Sequence, residues 1–98
     1  MTEKQEEKGP QAVDLTAFEL DQLLGLFISL LTAKAWQYMG VRLTPGKEDV
    51  EKDMVKAATT IDCVAFLTEK LIPSLQEDEV GRLKAMIADL QINYTKQA

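Results

Sequence analysis

Residues 16–39 read TAFELDQLLGLFISLLTAKAWQYM, a stretch without proline in which apolar side chains occupy nearly every angle of a helical wheel. A helix that is buried on one side needs an apolar stripe only about 100° wide. This stretch therefore predicts a first helix, over about residues 16–39, that is too apolar to be left as the surface of a monomer. Asp14 or Thr16 can cap its first amides.

Small residues recur every four positions along this helix, at Gly25, Ser29 and Ala33. Small side chains at that spacing allow a second helix to approach closely. The predicted contact face combines them with neighbouring apolar residues, and its members are Gly25, Leu26, Ser29, Leu30, Ala33 and Trp36. Two roles stay open for the aromatic cluster that ends the helix at Trp36 and Tyr38: core filling, or an anchor at a protein interface.

Two further helices are expected, over about residues 50–72 and 75–95. Gly40 can terminate the first helix and Thr44-Pro45-Gly46 marks a turn, so residues 40–48 form a connection. The second helix begins between Glu48 and Asp53, and a Ser74 and Glu77 capping box starts the third. Both helices carry apolar seams at alternating spacings of three and four, namely Val50, Met54, Ala57, Ile61, Val64, Thr68 and Leu71, and then Val80, Leu83, Ile87, Leu90 and Tyr94.

The 98 residues suffice for one core. Residues 1–13 are mostly polar and contain Gly9-Pro10, which predicts a disordered head ahead of a single helical domain over residues 14–98. They lack the basic and apolar regions of a secretory signal, so export is not expected. The expected fold is all-α, a three-helix hairpin or bundle with a flexible head, completed by oligomerisation.

Composition argues against several functions. Sixteen acidic residues outnumber 11 basic ones, and a net charge of −5 disfavours a nucleic-acid partner. The longest apolar run, Leu23–Ala33, has about half of the roughly 20 residues that span a membrane. Because the first helix offers only Lys34 to lipid headgroups, contact with a membrane surface is also disfavoured.

Catalytic and metal sites are not expected, because the chain has no histidine and one cysteine. Cys63 is interpreted as a small residue in or beside the core, which suits a reducing, cytoplasmic location. Asp62 lies next to a seam residue, so we expect partial burial and a structural partner among Arg82, Lys84 and Tyr94. The acidic residues near helix starts are explained by the helix dipole, and no cofactor is expected.

The pattern resembles a family of short helical bacterial proteins known as domain of unknown function 1844, over about residues 18–95. The residues that carry the resemblance are Phe27, Ser29, Leu30, Ala35, Met39-Gly40, Ala57, Ile61-Asp62, Leu67, Glu69-Lys70, Leu83, Leu90 and Tyr94. It implies a long first connection and a second helix that starts near Asp53. Ile72-Pro73-Ser74 and Gln91-Ile92 depart from the family's pattern, and the resemblance implies no activity.

These observations predict a non-enzymatic helical protein that self-associates through its first helix, as a symmetric dimer. The alternative is a small accessory subunit or adaptor of a larger cytosolic complex, in which the same face meets a different protein.

Overall fold

The computed structural model describes residues 14–98, which form three α-helices and two short 3-10 turns without a β-strand. The helices are α1 (Leu20–Tyr38), α2 (Met54–Leu71) and α3 (Glu77–Gln97), and the turns are Leu15–Ala17 and Ile72–Ser74. The prediction of an all-α fold with three helices is confirmed. The predicted disordered head, residues 1–13, lies outside the described residues.

The start of α1 differs from the prediction. Asp14 caps the 3-10 turn, because its Oδ1 accepts the backbone N–H of Thr16 at 3.0 Å. The chain then becomes extended at Phe18, and a second cap begins α1, where the backbone N–H of Glu19 donates to Gln22 Oε1 at 2.9 Å. The predicted cap is therefore real but holds a single turn, and the nearer Glu19 and Gln22 pair determines the helix start.

The connection between α1 and α2 is closed at its base by a hydrogen bond from the Asp53 N–H to the Tyr38 carbonyl, 2.7 Å long. Gly40 terminates α1 with φ at +78°, as predicted. The predicted turn is also present, since the Lys47 N–H donates to the Thr44 carbonyl at 3.0 Å and Gly46 has φ at +85°. Asp53 caps α2, which places the helix start where the family resemblance implies.

The start of α3 corrects the predicted capping box. Ser74 belongs to the 3-10 turn that contains Pro73, and this turn closes with a hydrogen bond from the Leu75 N–H to the Ile72 carbonyl. The box forms two residues later, where the Gln76 N–H donates to Glu79 Oε1 at 2.9 Å. Pro73 keeps residues 72–74 in this tight turn, so α3 begins later than predicted.

Helices α1 and α2 form an antiparallel hairpin, and α3 runs antiparallel to α2 with little contact to α1. The seam of α2 is confirmed from Met54 to Leu71, whereas Val50 precedes the helix and is exposed. On α3, Leu90 is fully buried. The core consists of Ile28, Ala35, Met39, Ala57, Ile61, Val64, Leu71 and Leu90.

Candidate interaction surface

Helix α1 carries a second apolar seam on the side that faces away from the core. The inner seam, which packs against α2, consists of Leu24, Ile28, Leu31 and Ala35. The outer seam, at spacings of three, four and three, consists of Leu23, Leu26, Leu30 and Ala33. Leu30 is 55% exposed, and the other three residues are only partly buried. The outer seam thus has the spacing of a packing surface without a helix packed on it.

The outer seam is fully buried where it reaches the end of α1. Its next position is Gln37, which is 7% exposed and whose Oε1 accepts a hydrogen bond from the Thr44 hydroxyl at 3.3 Å. The connection that follows α1 folds back over this polar residue, and the N–H groups of Val41 and Arg42 donate to the Trp36 carbonyl. Before this point the seam is partly covered at Leu23, Leu26 and Ala33 and open at Leu30.

One flank of the outer seam borders a groove between α1 and α3. Gly25 and Ser29 lie in this groove together with apolar residues of all three helices, among them Leu83 and Met86. A Cβ atom added at Gly25 would meet no atom within 4 Å, so the groove is open at this point. The small residues consequently face a gap beside α3 and do not sit beneath a closely packed helix.

The opposite flank borders an apolar crevice between α1 and α2. Leu31, Phe66 and Leu67 line it, and Cys63 lies at its edge. Phe27, one turn before Leu31 on α1, is exposed as well. Apolar surface therefore extends from the outer seam around this side of the hairpin.

The structure sorts the predicted contact residues into three places. Leu26, Leu30 and Ala33 lie on the outer seam, while Gly25 and Ser29 line the groove. Trp36 is partly buried against the core. Sequence reasoning did not select Leu23 or Phe27 for this surface. The repeat of three and four from Leu23 to Gln37 was the signal that could have found Leu23, whereas Phe27 lies on the flank, outside that repeat.

One prediction about α2 is wrong, and another holds only in its weaker form. Asp62 is exposed and needs no buried donor, whereas Cys63 is exposed beside the apolar crevice and does not belong to the core. Both positions neighbour Ile61 and Val64 in sequence, but successive residues of a helix point about 100° apart. They therefore lie on the solvent side, where Asp62 borders a shallow pocket that also contacts Tyr94.

Among residues 14–98, no three His, Cys, Asp or Glu side chains are placed to hold a metal ion. The pKa of the Asp14 carboxyl lies below its ordinary value because Thr16 donates its hydroxyl, at 2.6 Å, and its backbone N–H to it. These two hydrogen bonds cap the 3-10 turn Leu15–Ala17. None of the helices between Leu15 and Gln97 is long and apolar enough to cross a membrane.

Comparison with known proteins assigns the chain to a family. Residues 22–96 match the family described as Domain of unknown function (DUF1844), and the chain belongs to this family. The resemblance stated from the sequence is thereby confirmed. The match includes the whole outer seam, all of α2 and nearly all of α3. No curated protein and no solved structure matches the chain.

Proposed function

We propose that this member of the DUF1844 family is a non-enzymatic helical interaction protein that forms a homodimer through the outer seam of α1. The observation that carries the proposal is the exposure of Leu30 within an apolar seam of regular helix-packing spacing. Elsewhere in the fold, the same spacing on α2 marks residues buried against another helix. A second copy of α1 would give the outer seam an equivalent neighbour.

Two-fold symmetry makes such a contact effective. In a symmetric dimer each residue of the outer seam is buried in both copies, so its contribution counts twice. Burying a whole leucine side chain contributes about 1.5–3 kcal/mol, so covering the 55% of Leu30 that is exposed contributes about 1–1.5 kcal/mol in each copy. Leu23, Leu26 and the flanking Phe27 add further apolar surface.

The charges of the chain are compatible with this contact. The outer seam contains no ionisable side chain, although the chain as a whole carries a net charge of −5. Association through the seam therefore buries no charge, which would cost several kcal/mol for each unpaired ion. Lys34, the nearest cation, holds its amino group 4.8 Å from the centre of the Tyr38 ring.

Composition supports a non-enzymatic role and a reducing compartment. The chain has no histidine, the residue that most often acts as a general base. Its one cysteine, Cys63, is exposed and has no second thiol in its own chain, so it would be prone to link copies under oxidising conditions. A cytoplasmic protein avoids that reaction.

A matched pair of substitutions tests the dimer. Leu30 and Ile92 are each 55% exposed, and they lie within α1 and α3. Light scattering coupled to size exclusion should give the mass of two chains for the wild type and for Ile92→Glu, and of one chain for Leu30→Glu. Loss of two leucine contacts alone costs about 2–3 kcal/mol, which raises the dissociation constant roughly 30- to 150-fold. A monomeric wild type at tens of micromolar, or equal behaviour of the two variants, would contradict the proposal.

The alternative function, an accessory subunit or adaptor, is favoured by apolar residues that α1 pairing would not cover. Val55 and Phe66 on α2 are both exposed, and Phe66 lines the apolar crevice. This function replaces the first if the purified chain is monomeric and binds a different purified protein. Phe66→Ala should then reduce the affinity for that protein, whereas the control Ile92→Ala should not.

A further inference from the structure

Charge is distributed unevenly along α1 and its connection. Before the outer seam the chain carries Asp14, Glu19 and Asp21, and no basic residue occurs between residues 14 and 33. Directly after the seam the order is reversed, because Lys34 and Arg42 are basic and residues 34–46 contain no acidic residue. Farther along the connection, Lys47 is paired with Glu51 at 3.6 Å, and Glu48 and Asp49 are acidic. The seam therefore has an acidic end at Glu19 and Asp21 and a basic end at Lys34 and Arg42, and it carries no charge between them.

From this polarity we propose that two copies pair their α1 helices antiparallel across the outer seam. This orientation rests on the proposed homodimer and specifies its geometry. Leu26 of each copy packs against Leu30 of the other, and Leu23 packs against Ala33, because seams spaced by three and four form such layers when antiparallel. Ser29 then lies beside the two-fold axis, next to Ser29 of the second copy.

Electrostatics favours this orientation over the parallel one. Asp21 and Lys34 are 13 residues apart, which is about 20 Å along a helix. That distance exceeds the screening length of about 8 Å at physiological ionic strength, so each charged end interacts mainly with the end placed beside it. Antiparallel pairing places acidic beside basic ends and opposes the helix dipoles, whereas parallel pairing places like charges together.

The connection favours the same orientation. It covers Gln37 at the basic end of the seam, and in a parallel dimer the two connections would compete for space at that end. In an antiparallel dimer each connection lies beside the beginning of α1 in the second copy. The exposed apolar side chains of Leu15, Phe18 and Leu20 are located at this beginning of α1. In the antiparallel dimer they lie next to Val41 of the other copy's connection, which is also exposed.

Disulfide trapping distinguishes the orientations in full-length protein that carries Cys63→Ser. Single variants Leu23→Cys, Ser29→Cys and Ala33→Cys are oxidised separately, and then the first and third are mixed. We expect Ser29→Cys to form covalent dimers alone, and Leu23→Cys to form them only when mixed with Ala33→Cys. Ile92→Cys, on exposed α3 surface, measures the background of random collisions.

The outcomes separate orientation from association. If Leu23→Cys and Ala33→Cys each cross-link alone at least as well as in the mixture, while light scattering shows dimers, the orientation is wrong and the proposed function survives. Dimers in which no trapped pair exceeds the Ile92→Cys background also overturn the proposed pairing. A monomeric mass without cross-links in any variant removes the proposed function itself.

Discussion

Replacing Thr68 by valine is expected to stabilise the fold. Thr68 is 2% exposed, and its hydroxyl oxygen has no hydrogen-bond partner among the described residues. A buried hydroxyl without a partner costs about 1–3 kcal/mol, and valine keeps the branched shape and nearly the same helix propensity. The expected gain is about 1–2 kcal/mol in the free energy of unfolding, and each kcal/mol raises Tm by about 4–8 °C in a domain of this size.

Thr60→Val is the matched control, because Thr60 lies on the same helix and is 8% exposed. Its hydroxyl donates to the Lys56 carbonyl at 2.7 Å, so valine removes a hydrogen bond that is made. We expect no gain, or a loss of up to about 1.5 kcal/mol. Urea unfolding followed by far-UV circular dichroism, at one fixed protein concentration, measures both variants. If Thr68→Val is no more stable than Thr60→Val, the hydroxyl carries no such penalty and the reasoning fails.

Two further predictions concern backbone freedom and acid stability. Gly81→Ala should raise the free energy of unfolding by about 0.5–1 kcal/mol, because the added Cβ meets no atom within 4 Å and alanine favours the helix. Gly40→Ala should lower the free energy of unfolding, because φ at Gly40 is +78°. Thermal unfolding of the two variants measures both effects. The pKa of Asp14 is lowered from 3.8 by Thr16, so its stabilising contribution is present above pH 3.8 and is lost as pH falls through the lower folded value. Carboxyl NMR titration should show that Thr16→Val raises this pKa, and an unchanged value would exclude the hydroxyl as its cause.

The parts of the fold that sequence predicted are those that depend on local spacing. The alternation of three and four from Met54 to Leu71 determines which side of α2 is buried, whatever packs on it. The helix starts were harder to predict from sequence, because Asp14 and Glu19 can both act as caps and only one of them begins α1. Capping is a competition between neighbouring turns, and propensity alone does not decide it.

The candidate surface was only partly predictable for a related reason. Helix α1 is apolar at nearly every angle, so its sequence does not distinguish the inner seam at Ile28 from the outer seam at Leu30. The distinction arises when α2 packs on one side and the connection covers Gln37. Gly25 and Ser29 border a groove because α3 packs mainly on α2, which is a property of the assembled fold.

The hydrogen bond between Asp53 and Tyr38 has a consequence for chain entropy. It fixes the two ends of the connection together, so the turn at Pro45 and Gly46 is a tip whose length does not set the distance between α1 and α2. Doubling such a loop costs only about 0.6 kcal/mol in closure entropy. The hairpin can therefore accommodate insertions at this tip while the helices keep their register.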